Sequence, residues 1–203
     1  MSGLQDNRVG LEAIPVWSPT VRAWHWLLAT SVIAGWMLGE FRTFSIMQWH
    51  FYAGYCTIGL LVFRIGLGFI GPDPVRFATL LRSLRHIGPY LKSLFRREPS
   101  GMAGHAPLGA LASLVFLLLL IVQATSGLFS EDDGLFYEGP LSDLLSSDGV
   151  RTATSIHNNF AQALLVMFGL HLAAMLFYGL WKRENLVKPM LTGIKLVRSN
   201  NID

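Results

Sequence analysis

Four long apolar runs, separated by polar segments, organise the chain. The last is the clearest: SIHNNFAQALLVMFGLHLAAMLFYGLW, residues 155–181, contains no Lys, Arg, Asp or Glu. A run of that length crosses a hydrocarbon layer of about 30 Å as one helix. The other runs predict helices over residues 19–39, 46–70 and 107–128. Ser18-Pro19 opens the first, since a serine side chain accepts from an early helical N–H and proline has no N–H to leave unbonded. Gly71-Pro72 closes the second, because proline cannot continue the ladder. The third holds no charge and no histidine and reads as scaffold, with Gln123, Thr125, Ser126 and Gly127 gathered at its far end. The expected fold is all-α: an integral membrane four-helix bundle, a single domain over residues 1–203.

The polar segments orient the bundle. Within residues 73–106, Leu80, Leu81, Leu84, Ile87 and Leu91 recur at helical spacing with Arg82, Arg85 and Lys92 between them, and Gly88-Pro89 interrupts the pattern. A basic amphipathic segment of this kind lies on an anionic membrane surface. Residues 129–154 are acidic, with Glu131, Asp132, Asp133, Glu138, Asp143 and Asp148 against Arg151 alone. The chain opens on a short mixed arm, and a basic tail, WKRENLVKPMLTGIKLVR, follows the last helix. With the N-terminus inside, thirteen Lys and Arg residues fall on the inner side and only Arg42 and Arg151 on the outer. The positive-inside bias then puts both termini in the cytoplasm and the acidic loop outside. Trp17, Trp24 and Trp26 suit an aromatic belt at the inner boundary.

Composition agrees with this picture. Hydrophobic residues make up 52% of the chain and charged residues 14%, against about 25% charged in soluble domains. The first twenty residues lack the apolar core of a secretory signal. The single cysteine, Cys56, excludes an internal disulfide and a C-x-x-C-H attachment site, and reads as a small packing residue.

Candidate chemistry rests on histidine. His157 and His171 lie fourteen residues apart in the last run, so they share one helix face within about 40° and stand about 21 Å apart along it. Ionisable side chains in a membrane helix are costly and mark function by default. His25 begins the first helix, toward the inner side; His50 begins the second, toward the outer side. The four sort into an inner pair, His25 with His171, and an outer pair, His50 with His157. Helix four has to protrude somewhat, or the plane between the inner pair has to tilt, for His25 and His171 to meet. Two imidazoles from different helices are the axial ligand set of a haem iron, and filling both axial positions leaves electron transfer as the chemistry. A structural zinc needs about four converging ligands, which two pairs at opposite depths do not supply. Gly54, one turn from His50, and Gly39, fourteen residues from His25, leave room for a porphyrin edge, although glycine also serves close helix packing. Arg22 and Arg64 reach the inner pair's depth and suit haem propionates or, equally, lipid phosphates. His86 and His105 sit in the basic segment as surface residues, with a place beside a quinone head group as the other option.

The stretches VWSPTVRAWHW, WHFYAGY and FRIGLGFIGP, the two histidines of the last helix, and above all WKRENLVKPMLTGIK are similar to the prokaryotic b-type cytochrome family. That family includes the cytochrome b subunits of nickel–iron hydrogenases and the bacterial cytochrome b561 proteins. The resemblance runs from about Val16 to Lys195. It implies two non-covalent b haems ligated by His25, His50, His157 and His171, in the bacterial inner membrane. The function expected is electron transfer between the membrane quinone pool and a redox partner such as a periplasmic c-type cytochrome or dehydrogenase. A stand-alone superoxide:quinone oxidoreductase and a hydrogenase cytochrome b subunit are the alternatives. A non-redox haem-binding anchor is a third.

Overall fold

The computed structural model describes residues 11–97, 106–132 and 134–198. Four long helices dominate: α1 (Pro19–Glu40), α2 (Phe44–Ile70), α5 (Pro107–Gly127) and α6 (Ser147–Leu180), with the short helices α3 (Phe77–Leu84) and α4 (Ile87–Ser93) between α2 and α5 and α7 (Val187–Thr192) after α6. Ser18 Oγ accepts from the Val21 N–H at 3.3 Å and Pro19 is the first residue of α1. The Gly71 N–H closes α2 on the Leu67 carbonyl at 2.9 Å, and Pro72 follows. α1 lies along α2 and α5 along α6, with α2 against α5.

The α2–α5–α6 core is small: Leu61, Leu120 and Leu164, flanked by Leu28, Val32, Phe116, Leu117, Leu119 and Ala124. Most of the remaining apolar surface points outward, with Val62, Phe69, Leu118, Val166, Leu170 and Leu176 all exposed. A helix apolar on every side but covered on few belongs in lipid. By length and composition α2, α5 and α6 can each cross a membrane. α1 is less apolar, since it carries Arg22, His25, Glu40 and three tryptophans. Its 22 residues nevertheless extend about 33 Å. Midway along it, Ser31 Oγ donates to the Ala53 carbonyl at 2.9 Å and sits 2.9 Å from Thr57 Oγ1, a buried polar clip onto α2.

α6 differs most from its predicted bounds. It begins eight residues before position 155, capped by Ser146, whose Oγ accepts from the Gly149 N–H at 3.3 Å. The extra turns are polar, but Val150 and Ala153 are buried. Part of the expected outer loop is thus helix. Its 34 residues extend about 51 Å. The rest of that loop folds over the bundle end. β2 (Glu131–Asp132) pairs with β3 (Tyr137–Glu138), and Asp132 Oδ1 accepts from the Gly134 and Leu135 N–H groups at 3.0 and 3.1 Å. Its other carboxylate oxygen pairs with Arg42 at 3.1 Å. Asp133 lies outside the described residues.

At the opposite end, α3 and α4 pack on the bundle. Leu80 is fully buried, while Leu81 and Leu91 of the same apolar face remain exposed. Phe77 lies across Gly68, where an added Cβ would fall 2.1 Å from its ring, so only glycine fits there. The break between α3 and α4 comes at Arg85-His86 rather than at Gly88-Pro89. Pro89 sits in the first turn of α4, where its missing N–H costs nothing. The Tyr90 and Tyr178 hydroxyls bond to each other, and Trp181 Nε1–H donates to the Phe95 carbonyl at 3.0 Å. Burial and that bond push the Tyr90 hydroxyl's pKa up.

The two arms of the chain form an element absent from the expected all-α fold. β1 (Leu11–Pro15) pairs antiparallel with β4 (Ile194–Arg198), Leu11 opposite Arg198 and Pro15 opposite Ile194. The Val16 N–H continues the ladder onto the Gly193 carbonyl at 2.8 Å. Gly193 takes φ +83° with the Trp17 carbonyl 2.8 Å from where a Cβ would stand, so this turn requires glycine. Both arms therefore lie at the same end of the bundle.

Candidate functional site

His50 comes from α2 and His157 from α6, and their rings meet near the β2–β3 end with centroids 6.0 Å apart and planes nearly perpendicular, at 85°. His50 Nδ1 lies 2.8 Å from the Gly35 carbonyl of α1, and His157 Nδ1 lies 3.0 Å from the Gln123 carbonyl of α5. A carbonyl only accepts, so both rings carry their proton on Nδ1 and keep the Nε2 lone pair. Each ring also rests against a glycine. A Cβ on Gly39 would lie 3.1 Å from His50, and one on Gly127 would lie 2.8 Å from His157. The Gln123 side-chain nitrogen lies 3.2 Å from His157 Nε2, while its Oε1 is buried without a partner. Gly54 faces open space, with nothing within 4 Å of where a Cβ would be.

His25 and His171 occupy the other end of the bundle. His25 stands edge-on to Trp26 at 5.3 Å, its Nδ1 buried and unbonded. His171 meets the ring of Phe116 edge-on at 5.7 Å. Beside them Arg64 is 8% exposed, its guanidinium carbon 5.8 Å from the Trp24 ring centre and 5.3 Å from that of Phe77, with Nη1 unbonded. Arg22 turns toward the C-terminal arm, where Nη1 donates to the Leu191 carbonyl and Nε is buried without a partner. Trp26 Nε1–H donates to the Met190 carbonyl at 3.3 Å. His86 is exposed on the surface. His105 lies outside the described residues.

The unbonded atoms supply a test of what the bundle fits. Among the described residues, the buried side-chain nitrogen and oxygen atoms without a partner are Arg22 Nε, His25 Nδ1, Arg64 Nη1 and Gln123 Oε1. His25 Nδ1 and Gln123 Oε1 belong to the two histidine pairs, Arg64 Nη1 lies by Trp24, and Arg22 Nε lies against the C-terminal arm. A buried polar group left unbonded costs about 1–3 kcal/mol, so each calls for a partner. Two imidazoles on opposite faces of one metal at ~2 Å per bond have ring centres roughly 6 Å apart, which matches His50 and His157. Bonding of the second ring nitrogen to a carbonyl is how metal-bound histidines are usually oriented. The donor set fits haem: paired imidazole nitrogens, unsatisfied guanidinium nitrogens for carboxylates, and Gly54 on open space where a flat ring needs room.

Sequence reasoning missed α5's part in this. Gln123 and Gly127 hold His157, although α5 carries neither charge nor histidine and reads as scaffold. The available signal was a lone amide in an otherwise apolar helix, since polar groups at membrane depth need a reason.

A lipid-exposed helical bundle that brings imidazoles together from different helices has the plan of a membrane b-type cytochrome. The chain belongs to the prokaryotic cytochrome b561 family, whose model matches residues 16–193. Neither a curated protein nor a solved structure matches the chain individually. Membership makes it a membrane protein of a family that binds haem b and transfers electrons across the bilayer.

Proposed function

We propose that the chain is a transmembrane conduit holding two b haems, an outer one between His50 and His157 and an inner one between His25 and His171. It links the membrane quinone pool to a redox partner outside the bacterial inner membrane. The observation that carries this reading is the outer pair, each Nδ1–H fixed on a backbone carbonyl and each Nε2 left as an acceptor, with the Gln123 amide 3.2 Å from that of His157 having to give way to a metal. Haem iron supplies the one-electron chemistry when bound. The chain's residues do the rest. His50 with His157, and His25 with His171, would hold the iron and leave no open position for oxygen. The Gly35 and Gln123 carbonyls set ring orientation and raise imidazole basicity. Arg64 offers its free Nη1 to a propionate, and Arg22 offers Nε while holding the C-terminal arm. His157 and His171 put the two sites about 21 Å apart along α6.

Topology is part of the proposal. The β1–β4 pairing places both arms at one bundle end, which an even number of crossings requires and which supports α1 as the fourth span. The Lys and Arg bias makes that end cytoplasmic.

The partner reading rests on the outer acidic surface. Asp132 pairs with Arg42 and Asp148 with Arg151. Glu131, Glu138 and Asp143 have no cationic partner among the described residues. A surface of one sign steers an oppositely charged protein and repels a small anion such as superoxide. This favours a basic c-type cytochrome over a stand-alone superoxide reaction at that face. Because Asp132 also holds the β2–β3 turn, Glu138→Gln with Asp143→Asn is the informative variant. It is expected to slow electron transfer to a basic cytochrome c at low salt and to flatten the salt dependence. An unchanged rate overturns the docking surface.

The central experiment is a pyridine haemochrome assay on purified protein, with stopped-flow reduction by quinol. Two b haems per chain and rapid reduction are expected. One haem per chain, or no reduction by quinol, overturns the conduit.

A further inference from the structure

Where α6 leaves its apolar run, a groove of about 350 Å³ opens between the helix and the turn into α7, lined by Met175, Gly179, Arg183, Asn185, Leu186 and Val187. Met175 and Gly179 lie one turn apart on α6 and Arg183 follows just beyond its end, so the lining runs from the apolar layer toward the polar boundary. Neighbouring Leu172, Leu176 and Leu180 are exposed and face lipid. Gly179 leaves the floor open, with nothing within 4 Å of where a Cβ would stand.

The polar end is positive. Arg183 and Lys188 are exposed and have no acidic partner among the described residues. The nearby Glu184 is buried and paired with Lys195 at 2.8 Å. The Asn185 side-chain oxygen already accepts from the Val187 and Lys188 N–H groups at 3.0 and 2.8 Å, which leaves its amide nitrogen as a donor. No carboxylate lines the groove, so a cationic head group finds no counter-charge in it.

Arg183 also has an unfavourable backbone. Its φ is +54°, a conformation that costs a side-chain-bearing residue free energy and that helix ends usually give to glycine or asparagine. A strained residue that persists points toward a role for its side chain.

We propose that this groove is a binding site for one anionic phospholipid, its phosphate on Arg183 with help from Lys188 and the Asn185 amide, and an acyl chain along Met175 and Gly179. An arginine fork binds phosphate bidentately, and a basic recess at the cytoplasmic end of membrane helices suits an acidic head group. The proposal rests on α6 crossing the membrane and not on the two-haem reading.

The test uses the purified full chain in detergent, with phosphatidylglycerol, phosphatidylcholine and inorganic phosphate as probes, read by native mass spectrometry and thermal unfolding. One tightly held phosphatidylglycerol per chain is expected, with weaker retention of phosphatidylcholine and no stabilisation by inorganic phosphate. Arg183→Gln is expected to weaken the held lipid about five- to tenfold, the loss of one well-placed cation near the surface. Gly179→Leu fills the slot without touching the cation and is expected to displace the same lipid. Arg183→Gly serves as the folding control: it removes the strain, so the lipid-free unfolding midpoint should rise by about 2–4 °C while lipid retention falls. Equal retention of the two lipids, stabilisation by phosphate alone, or variants that bind like the parent chain overturns the proposal.

Discussion

The two ends of the bundle present their histidines in different ways. At the outer end each imidazole is fixed twice, by a carbonyl on Nδ1 and by a glycine against the ring. At the inner end His25 has no bond on Nδ1, His171 meets the edge of the Phe116 ring, and Arg64 Nη1 is unbonded. The outer site is built by the helices in advance. The inner site holds unsatisfied groups that a cofactor would complete. A preformed site spends little on ordering when it binds, whereas the inner one has to settle several side chains at that moment.

The largest effects come from the ligands themselves. His157→Ala and His171→Ala should each lower the haem content from two per chain to one, and difference spectra should show that the two variants lose different haems. Loss of the same haem in both would merge the two sites into one.

Smaller effects should follow from the glycines. Gly127→Ala drives a Cβ to 2.8 Å from the His157 ring, an overpacking expected to cost about 1–3 kcal/mol. It should reduce outer haem content and leave the inner haem in place. Gly39→Ala, at 3.1 Å from His50, should act in the same direction but less. Equal loss of both haems in Gly127→Ala would show that the ends are not independent.

The smallest effect carries a sign that sharpens the contrast. Gly54 faces open space, so Gly54→Ala should stabilise the haem-free helix by about 0.5–1 kcal/mol through backbone entropy. If that space belongs to the porphyrin, the same change should weaken haem binding. Measuring unfolding of the apoprotein beside haem retention in the holoprotein checks both. Gain in one and loss in the other is the expected outcome.

Helix-level features were readable because their causes are local. Ser18-Pro19 and Gly71-Pro72 mark ends through caps and missing donors, and the spacing of His157 and His171 follows from helix geometry. The start of α6 was not readable, because residues 147–154 are polar and their helicity depends on the Ser146 cap and on burial of Val150 and Ala153 by the folded outer segment. The part played by Gln123 was hidden for a related reason: its backbone carbonyl bonds His157, and any residue type offers a carbonyl. The β1–β4 pair was invisible because two five-residue strands at opposite ends of the chain carry no pattern linking them.

That pair also has a place in time. The first strand leaves the ribosome early, but its partner lies roughly 180 residues later. At synthesis rates of about 5–20 residues per second, β1 waits roughly 10–40 s for β4. Nothing local can complete its ladder before then. The closure therefore comes only after α6 has been made, and a nascent chain stalled before Ile194 would keep an open strand as the mark of unfinished assembly.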